Sequence, residues 1–486
     1  MQFGLRHFVP ITTVTQSVIL NLSGVVLFVV CSLTTTRFVM IQERPRVQAA
    51  QPGTWISWNE NVRHDYDNTY TIHTEEELID RIANASGKIR MFGHRYSSAD
   101  ISAGNPTLLD LTEYDKILDY NDERREITVQ SGITLKQLLQ AVEAKGWAIP
   151  CLPDIDGITL GGAIATGTHG TGREGQILAQ YMSHCRLVKS NGEVLDIDEH
   201  DTIMPAVRVS MGVLGIMSQI TMRCVPIYTL HLKEAPMHDD DWTAQLDELH
   251  AQYDFLRILW MPHTDHGYVI RGNRIDPDTP VTENRGPDYL KHRRKASKWL
   301  YKYTYKFPRL TAFANKFLYK AFFTVEKEHK GTLYQATVTK KRGSTMELAE
   351  WTIARSRFPA LFKELKAALD STDNDAFVHV PMDIRFLKED DSWLSYAYGE
   401  DCVTVGCVCR DSPNADSYEA FKVVEQIFLK HGGRPHWAKR FDAKADELAP
   451  LYPKWRAFNE LRRQLDPEGK LLNPYLAEVF GEPTYA

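Results

Sequence analysis

GITLGGAIATGTHGTG, residues 157–172, is the stretch on which the reading of this chain turns. Its glycines stand at positions 157, 161, 162, 167, 170 and 172, and no acid, lysine or arginine interrupts it. Glycine lets a backbone approach a ligand closely and reach positive φ. Such a run suits a loop whose N–H groups face phosphate oxygens where a helix begins. It is neither a GxGxxG that follows a strand, as in a nicotinamide-dinucleotide fold, nor the GxxxxGK(S/T) of a nucleoside-triphosphate loop, so both classes are poorly supported. A second segment of the same kind, Met91–Ser98, lies upstream, and its Gly93-His94 follows directly on the strand-like run Lys88–Phe92. Two separate glycine loops fit an extended dinucleotide whose pyrophosphate is held between them.

The sequence around these loops punctuates into short helix–strand units. Tyr70–Ile72 reads as a strand, and Thr74 with Glu77 forms a capping pair ahead of an amphipathic helix reaching about Ala85. The unit recurs: Ile127–Gln130 is strand-like, Thr134 and Gln137 repeat the capping pattern, and Gly146 suits a helix C-terminus. Cys185–Ser190, Asn191-Gly192 and Glu193–Ile197 read as a hairpin with a two-residue turn. Val213–Cys224 is a glycine-entered strand that closes this region, and beyond about Pro226 the composition changes.

The 486 residues are enough for two or three domains. A net charge of −6 argues against a general nucleic-acid binder. The charge is uneven: Arg285–Arg342 carries 16 Lys+Arg against 3 Asp+Glu, a local +13 that leaves the remainder at −19. Within it, Trp299, Tyr301, Tyr303, Tyr305 and Phe307 interleave with lysines across Tyr289–Phe323. Two readings of this basic aromatic stretch stay open, a membrane-facing amphipathic segment and a solvated helix pair with ordinary core aromatics. The 7 cysteines show neither a disulfide framework nor a zinc-type pair; Cys407 and Cys409 alternate as buried strand positions do. Phe8–Thr36 lacks any charged residue, and its apolar part Ser17–Leu33 is near the shortest length that crosses a bilayer. A single N-terminal membrane anchor is the expectation, with a cleaved signal peptide or targeting segment as the alternative. The flanking arginines Arg6, Arg37, Arg44 and Arg46 leave orientation and compartment open.

A third segment, GGRPHWAK at Gly432–Lys439, joins the two loops in order. Together they resemble the aldonolactone oxidases, a family that includes gulonolactone and arabinonolactone oxidases within the vanillyl-alcohol-oxidase group of flavoproteins. The family's flavin loop resembles Gly93-His94-Arg95-Tyr96-Ser97-Ser98. Its second loop resembles Thr159-Leu160-Gly161-Gly162-Ala163, running into Gly167-Thr168-His169-Gly170-Thr171-Gly172. The close of its flavin domain resembles Gly212-Val213-Leu214-Gly215-Ile216, and its acidic-x-Arg strand resembles Asp383-Ile384-Arg385. The ending resembles His436-Trp437-Ala438-Lys439, then Leu465–Lys470 and Leu472–Leu476. The similarity runs over roughly Ser57–Gly481. Two positions depart from the pattern: Arg95 replaces a small hydroxyl residue, and Asp383 stands where glutamate is usual.

The resemblance implies an α+β protein. An N-terminal hydrophobic segment (residues 1–54) precedes a two-subdomain FAD-binding domain of the PCMH type (55–227) and an α+β substrate or cap domain (228–481). It implies FAD bound covalently through His94 to the 8α-methyl carbon of the isoalloxazine. The other cofactor contacts would come from Gly93, Arg95, Tyr96, Ser97, Thr159, Gly161, Gly162, Gly167, Thr168, His169, Gly170, Gly215 and Ile216, with no metal. Asp383, Arg385, Lys439 and His436 are the implied catalytic set. Arg385 and Lys439 would supply positive charge; Asp383 would bind substrate hydroxyls, orient the arginine and assist deprotonation; the Lys439 ammonium would pair with reduced flavin and Asp383. Oxidation at C2 of a sugar lactone would give an ascorbate-like product, with electrons passing to O2 or to a protein acceptor. An alditol oxidase or flavin dehydrogenase of the same fold, and a membrane-anchored binding protein without turnover, are the competing expectations.

Overall fold

The computed structural model describes residues 17–22, 25–32, 35–42, 52–285, 299–300, 303–304, 307–338, 347–371, 376–378, 380–409 and 419–482. Two compact units separate at Ala50 and Gln51. In the first, Ser17–Leu22, Val25–Ser32 and Thr35–Gln42 form an antiparallel three-stranded sheet, with Leu22 opposite Val25 and Ser32 opposite Thr35. The expected single spanning segment over Ser17–Leu33 is thus divided between two strands. Its valines and isoleucine favour extended backbone. Among the described residues no helix is long and apolar enough to cross a membrane.

The second unit begins with two small sheets. Asn68–Thr71, Thr107–Asp110 and Ile89–Phe92 pair in parallel, and Glu75–Ala83 is the helix between the first and third of them in sequence. The capping residue is the expected one, since Thr74 Oγ1 accepts from Glu77 N at 3.2 Å; the Glu77 carboxylate reaches back one residue further, to His73 N at 2.9 Å. The neighbouring sheet is antiparallel, in the order Val194–Asp198, Met182–Val188, Ile216–Arg223, Glu126–Gln130, Ile117–Asn121. Helix Leu135–Ala144 has the full capping box of Thr134 and Gln137 and buries Leu135, Leu138, Leu139 and Val142. Each such side chain contributes about 1.5–3 kcal/mol on burial. The hairpin after Val188 is tighter in register than its sequence suggests. Lys189 N donates to Glu193 O and Gly192, at φ 86°, closes a three-residue loop in place of the two-residue turn. A type I turn followed by a left-handed glycine gives this geometry.

From Thr229 onward the strands join one eight-stranded sheet. Its order is Lys327–Thr332, Thr229–His238, His266–Ile275, Phe255–Trp260, Met382–Leu387, Cys402–Cys409, Glu347–Ala354 and Arg434–Pro435. Helices Phe358–Asp370 and Glu419–Lys430 bring a continuous apolar face to this region. Phe362 meets Trp242 and Trp260 at ring distances of 4.7 and 5.0 Å, and Trp351 lies 6.1 Å from Phe428. Cys407 is buried in its strand as expected; the side chain of Cys409 lies outside the described residues. Strand alternation then places the intervening positions of the central strands on the other face, and these include Arg257, Asp383, Arg385, Thr404, Thr352 and Glu350.

Candidate functional site

The first glycine loop leaves the end of the parallel strand Ile89–Phe92. Its path is fixed by contacts on both sides. A Cβ at Gly93 would lie 2.2 Å from Thr159 Oγ1, so the two glycine loops touch at that point. Ala438 O accepts from Ser97 Oγ at 3.2 Å and from Ser98 N at 2.8 Å, which ties the loop to the C-terminal HWAK segment. Three stretches remote in sequence are therefore one structure. Between those ties, the N–H groups of Gly93, His94, Arg95, Tyr96 and Ser97 donate to no acceptor among the described residues. Arg95 sits at φ 62°, in the left-handed region that non-glycine residues seldom occupy. A left-handed residue in such a loop turns successive N–H groups into a concave, anion-accepting nest. This donor set fits a pyrophosphate. The Arg95 guanidinium, the departure from the family pattern, lies 5.0 Å over the Phe92 ring and leaves the backbone cradle clear. His94 is exposed and its side chain makes no hydrogen bond among the described residues.

The second loop is more self-contained. Thr159 precedes the short helix Leu160–Ala165. Leu160 N donates to Ile133 O and Gly161 N to Ser131 O, both at 2.8 Å, so these two amides already have acceptors. Gly161 is needed because a Cβ there would meet Ser131 Cβ at 2.9 Å. Gly162 faces open space apart from Thr159, and Gly167 turns at φ 68° against the Tyr396 ring. Thr168 accepts from Leu178 N at 2.7 Å. Gly215, at φ 152°, packs on Leu187, and the side chain of Ile216 belongs to the buried core with Leu78 and Ile89. Only the backbone of Ile216 is left to serve a ligand. Orphaned hydroxyls of Ser98 and Ser131, both buried, lie along the two loops.

Cross-strand register assembles the rest of the site on one sheet face. Asp383 pairs with Leu259 and Gly406, Gly406 with Glu350; two residues on, Arg385 pairs with Arg257 and Thr404, and Thr404 with Thr352. Directly opposed residues share a face, so Glu350, Asp383, Arg385, Arg257, Thr352 and Thr404 all present to the same side. Arg257 grips Asp383 with two bonds, Nε to Oδ1 at 2.8 Å and Nη2 to Oδ2 at 2.7 Å. Arg385 reaches Asp383 Oδ2 from Nε at 2.9 Å and Nη2 at 2.6 Å, and its Nη2 also lies 3.4 Å from Asp154. Burial alone would raise the Asp383 carboxyl, but Arg257 and Arg385 hold it below the usual carboxylate range. Burial opposes the Arg385 charge, and Asp383, Asp154 and Glu350 more than offset that. Thr352 Oγ1 and Thr404 Oγ1 are buried on this face without a partner. Gly406 puts no side chain between Glu350 and Asp383, and a Cβ there would be in ordinary contact with Asp383 Cβ at 3.6 Å.

Where this face meets the second loop, His169 donates to Glu350 Oε1 and to Gly170 O, each at 2.8 Å. Carboxylate and carbonyl are both acceptors, so His169 ties the second loop to Glu350 through its ring nitrogens. Burial would raise the Glu350 carboxyl, yet His169, with His436 and Lys439, holds it well below its ordinary range. His436 Nδ1 accepts from Ala438 N at 3.1 Å, which puts the proton of the neutral ring on Nε2. Burial pushes its pKa down to about 3, with Lys439 and His169 adding to the shift and Glu350 opposing it. The ligating atoms of His169, Glu350 and His436 lie within 4.8 Å of one another, a spacing that can hold a metal ion. In this structure Glu350 is hydrogen-bonded to His169 beside the buried His436 ring. Tyr396 stacks on His436 at 5.3 Å and meets His169 edge-on at 5.5 Å.

The structure thus gathers Asp383, Arg385, His436 and His169 into one region and rearranges one expected pair. Lys439 was expected to pair with reduced flavin and Asp383; two arginines bind that carboxylate, and the Lys439 charge acts on Glu350 and His436. Sequence reading missed Arg257, Asp154, Glu350 and Tyr396. A signal existed for two of them: Arg257 in FLRILW and Glu350 in LAEWTIA are charges inside apolar strands, which are rarely buried unless paired.

Two family descriptions match the chain. Residues 220–479 match the family described as D-arabinono-1,4-lactone oxidase, and residues 69–198 match an FAD binding domain. L-Gulonolactone oxidase of Mus musculus is 29% identical over 83% of this chain and 92% of its own length. L-Gulono-1,4-lactone dehydrogenase of Mycobacterium tuberculosis is 30% identical over 84% of this chain and 94% of its own. Among solved structures, cholesterol oxidase from B. sterolicum superposes with a TM-score of 0.73 at 13% identity, covering 90% of this chain and 99% of that one. That last likeness speaks for the fold alone.

Proposed function

The chain belongs to the D-arabinono-1,4-lactone oxidase family and is an FAD-dependent oxidoreductase, and we propose that it oxidises a secondary alcohol of an aldonolactone on the polar face of its eight-stranded sheet. The observation that carries this reading is the junction of the amide nest at Gly93–Ser97 with the Asp383–Arg385–Arg257 cluster through the HWAK segment and His169. FAD, when bound, supplies the hydride acceptor. Gly93–Ser97 and the Thr159–Gly170 loop would hold it, with His94 carrying the covalent link.

The chain's own residues then have distinct work. Arg385, held by Asp383 and Asp154, presents a fixed cation to substrate oxygens and would stabilise the negative charge that FAD gains on accepting hydride. Asp383 is locked below its ordinary pKa by two arginines, so it orients Arg385 and does not take the hydroxyl proton. Thr352 and Thr404 offer buried hydroxyls to a polyhydroxylated ligand. Lys439 adds positive charge near Glu350.

Names among the relatives include both an oxidase and a dehydrogenase, so the electron acceptor is part of what is proposed. We take it to be O2. Turnover in air with a panel of aldonolactones and alditols, read as peroxide release, tests substrate class and acceptor together. Peroxide formed with lactones and not with open-chain alditols is the expected result. Turnover of lactones only with an artificial electron carrier would replace oxidase by dehydrogenase, and activity on alditols alone would overturn the lactone reading. We also propose that the protein works at a membrane. The charge-free Phe8–Thr36 stretch and the basic aromatic stretch 285–342 support this.

A further inference from the structure

Eight large hydrophobic side chains are exposed among the described residues, and six of them fall between positions 299 and 317. They are Trp299, Tyr303, Phe307, Leu310, Phe313 and Phe317, with Phe313 at 68% and Trp299 at 62% exposure. The best-defined part is helix Thr311–Phe322. One of its sides is anchored: Thr311, Ala314, Asn315 and Leu318 are buried, Leu318 clusters with Met261, Tyr268 and Phe323, and Asn315 Nδ2 donates to Pro262 O and Val378 O at 3.2 and 3.0 Å. The opposite side, at helical spacing, reads Phe313, Lys316, Phe317, Lys320, all exposed. An ordinary surface helix is polar there. This helix is already docked on the body, so its outer phenylalanines are not the fold's own core.

We propose that this face, continued by Leu310, Phe307 and Trp299, lies on the surface of an anionic lipid bilayer. The charge pattern selects that occupant. Arg309, Lys316 and Lys320 are exposed among the aromatics, and the whole 285–342 region carries +13 against −19 for the remainder. With Arg309, Lys316 and Lys320 standing among the aromatics and no acid between Leu310 and Phe322, a negatively charged surface would draw this face. Lysines can leave their methylene stems among lipid tails with their ammonium groups at the headgroups. Tryptophan, tyrosine and phenylalanine suit the interfacial layer. Of the aromatics singled out in the sequence, Tyr301 and Tyr305 lie outside the described residues, as do the basic runs 291–298 and 340–342. The surface rests on the membrane association proposed above but does not depend on the N-terminal stretch.

The test uses the full chain and two kinds of vesicle, phosphatidylcholine alone and phosphatidylcholine with phosphatidylserine. Co-sedimentation measures partitioning, and hydrogen exchange measures protection of peptides across Leu310–Phe322. Binding should require phosphatidylserine and protect those peptides. F313S/F317S should lower partitioning by about tenfold or more, since two rings leave the lipid, and should abolish the protection while lactone turnover in solution is unchanged. K316E/K320E should remove chiefly the phosphatidylserine dependence. If the chain binds vesicles but these peptides exchange as in solution, another segment is responsible: this surface is wrong and membrane association stands. If it binds no vesicle, both fail. A dimer that F313S/F317S dissociates, without vesicle binding, assigns the face to a second copy and overturns the proposal.

Discussion

Arg385→Met should slow anaerobic flavin reduction by about 10²–10³ while the chain folds and retains FAD. The size follows from what the guanidinium is: a preorganised charge in a dry site, fixed by two bonds to Asp383 and a contact of 3.4 Å with Asp154. Such a group does not have to reorganise as charge develops, which is why its removal acts on the rate and not only on binding. The concern is stability. Breaking a buried ion pair by deleting one partner commonly costs about 3–5 kcal/mol because the other charge is stranded. Here Asp383 keeps its two bonds to Arg257 at 2.8 and 2.7 Å, so the carboxylate stays paired and the fold survives. Arg385→Lys keeps the charge without the planar fork and should recover only part of the rate. A reduction rate in Arg385→Met equal to wild type would make the residue a strand-face ion-pair member and nothing more.

The second large effect is all-or-none. After acid denaturation and electrophoresis, wild-type protein should give a band that fluoresces as flavin, and His94→Ala a dark one. His94 is exposed and free of hydrogen bonds among the described residues, so alanine disturbs no packing. The N–H groups of Gly93–Ser97 and the ties of Ser97 and Ser98 to Ala438 O remain. Native His94→Ala should therefore still bind FAD, reversibly. Release of all flavin from the denatured wild type would show that the cofactor is held by the nest alone.

Much of the cofactor side was legible because it is local. Capping pairs at Thr74 and Thr134, the strand before Gly93 and the glycine at 146 are short-range chemistry, and the structure forms them nearly where the sequence places them. The substrate side depends on which strands lie next to each other. Asp383 and Arg385 were visible two residues apart, but their partner Arg257 lies 126 positions upstream of Asp383 and Glu350 joins His169 across 181. No pattern within a strand announces such pairs. The same limit hid the two arginines that bind Asp383, one of the partners expected for Lys439. For the N-terminal stretch, apolar length alone does not distinguish a helix from paired β-branched strands.

The claim that this chain dehydrogenates an aldonolactone is tested most directly by mixing the purified yellow protein anaerobically with L-gulono-1,4-lactone or D-arabinono-1,4-lactone and following the flavin absorbance in a single turnover. The account predicts bleaching that saturates with lactone concentration, for at least one of the two, and recovery of colour on admitting an electron acceptor. A flavin that stays oxidised with both lactones, yet bleaches with dithionite, would contradict it.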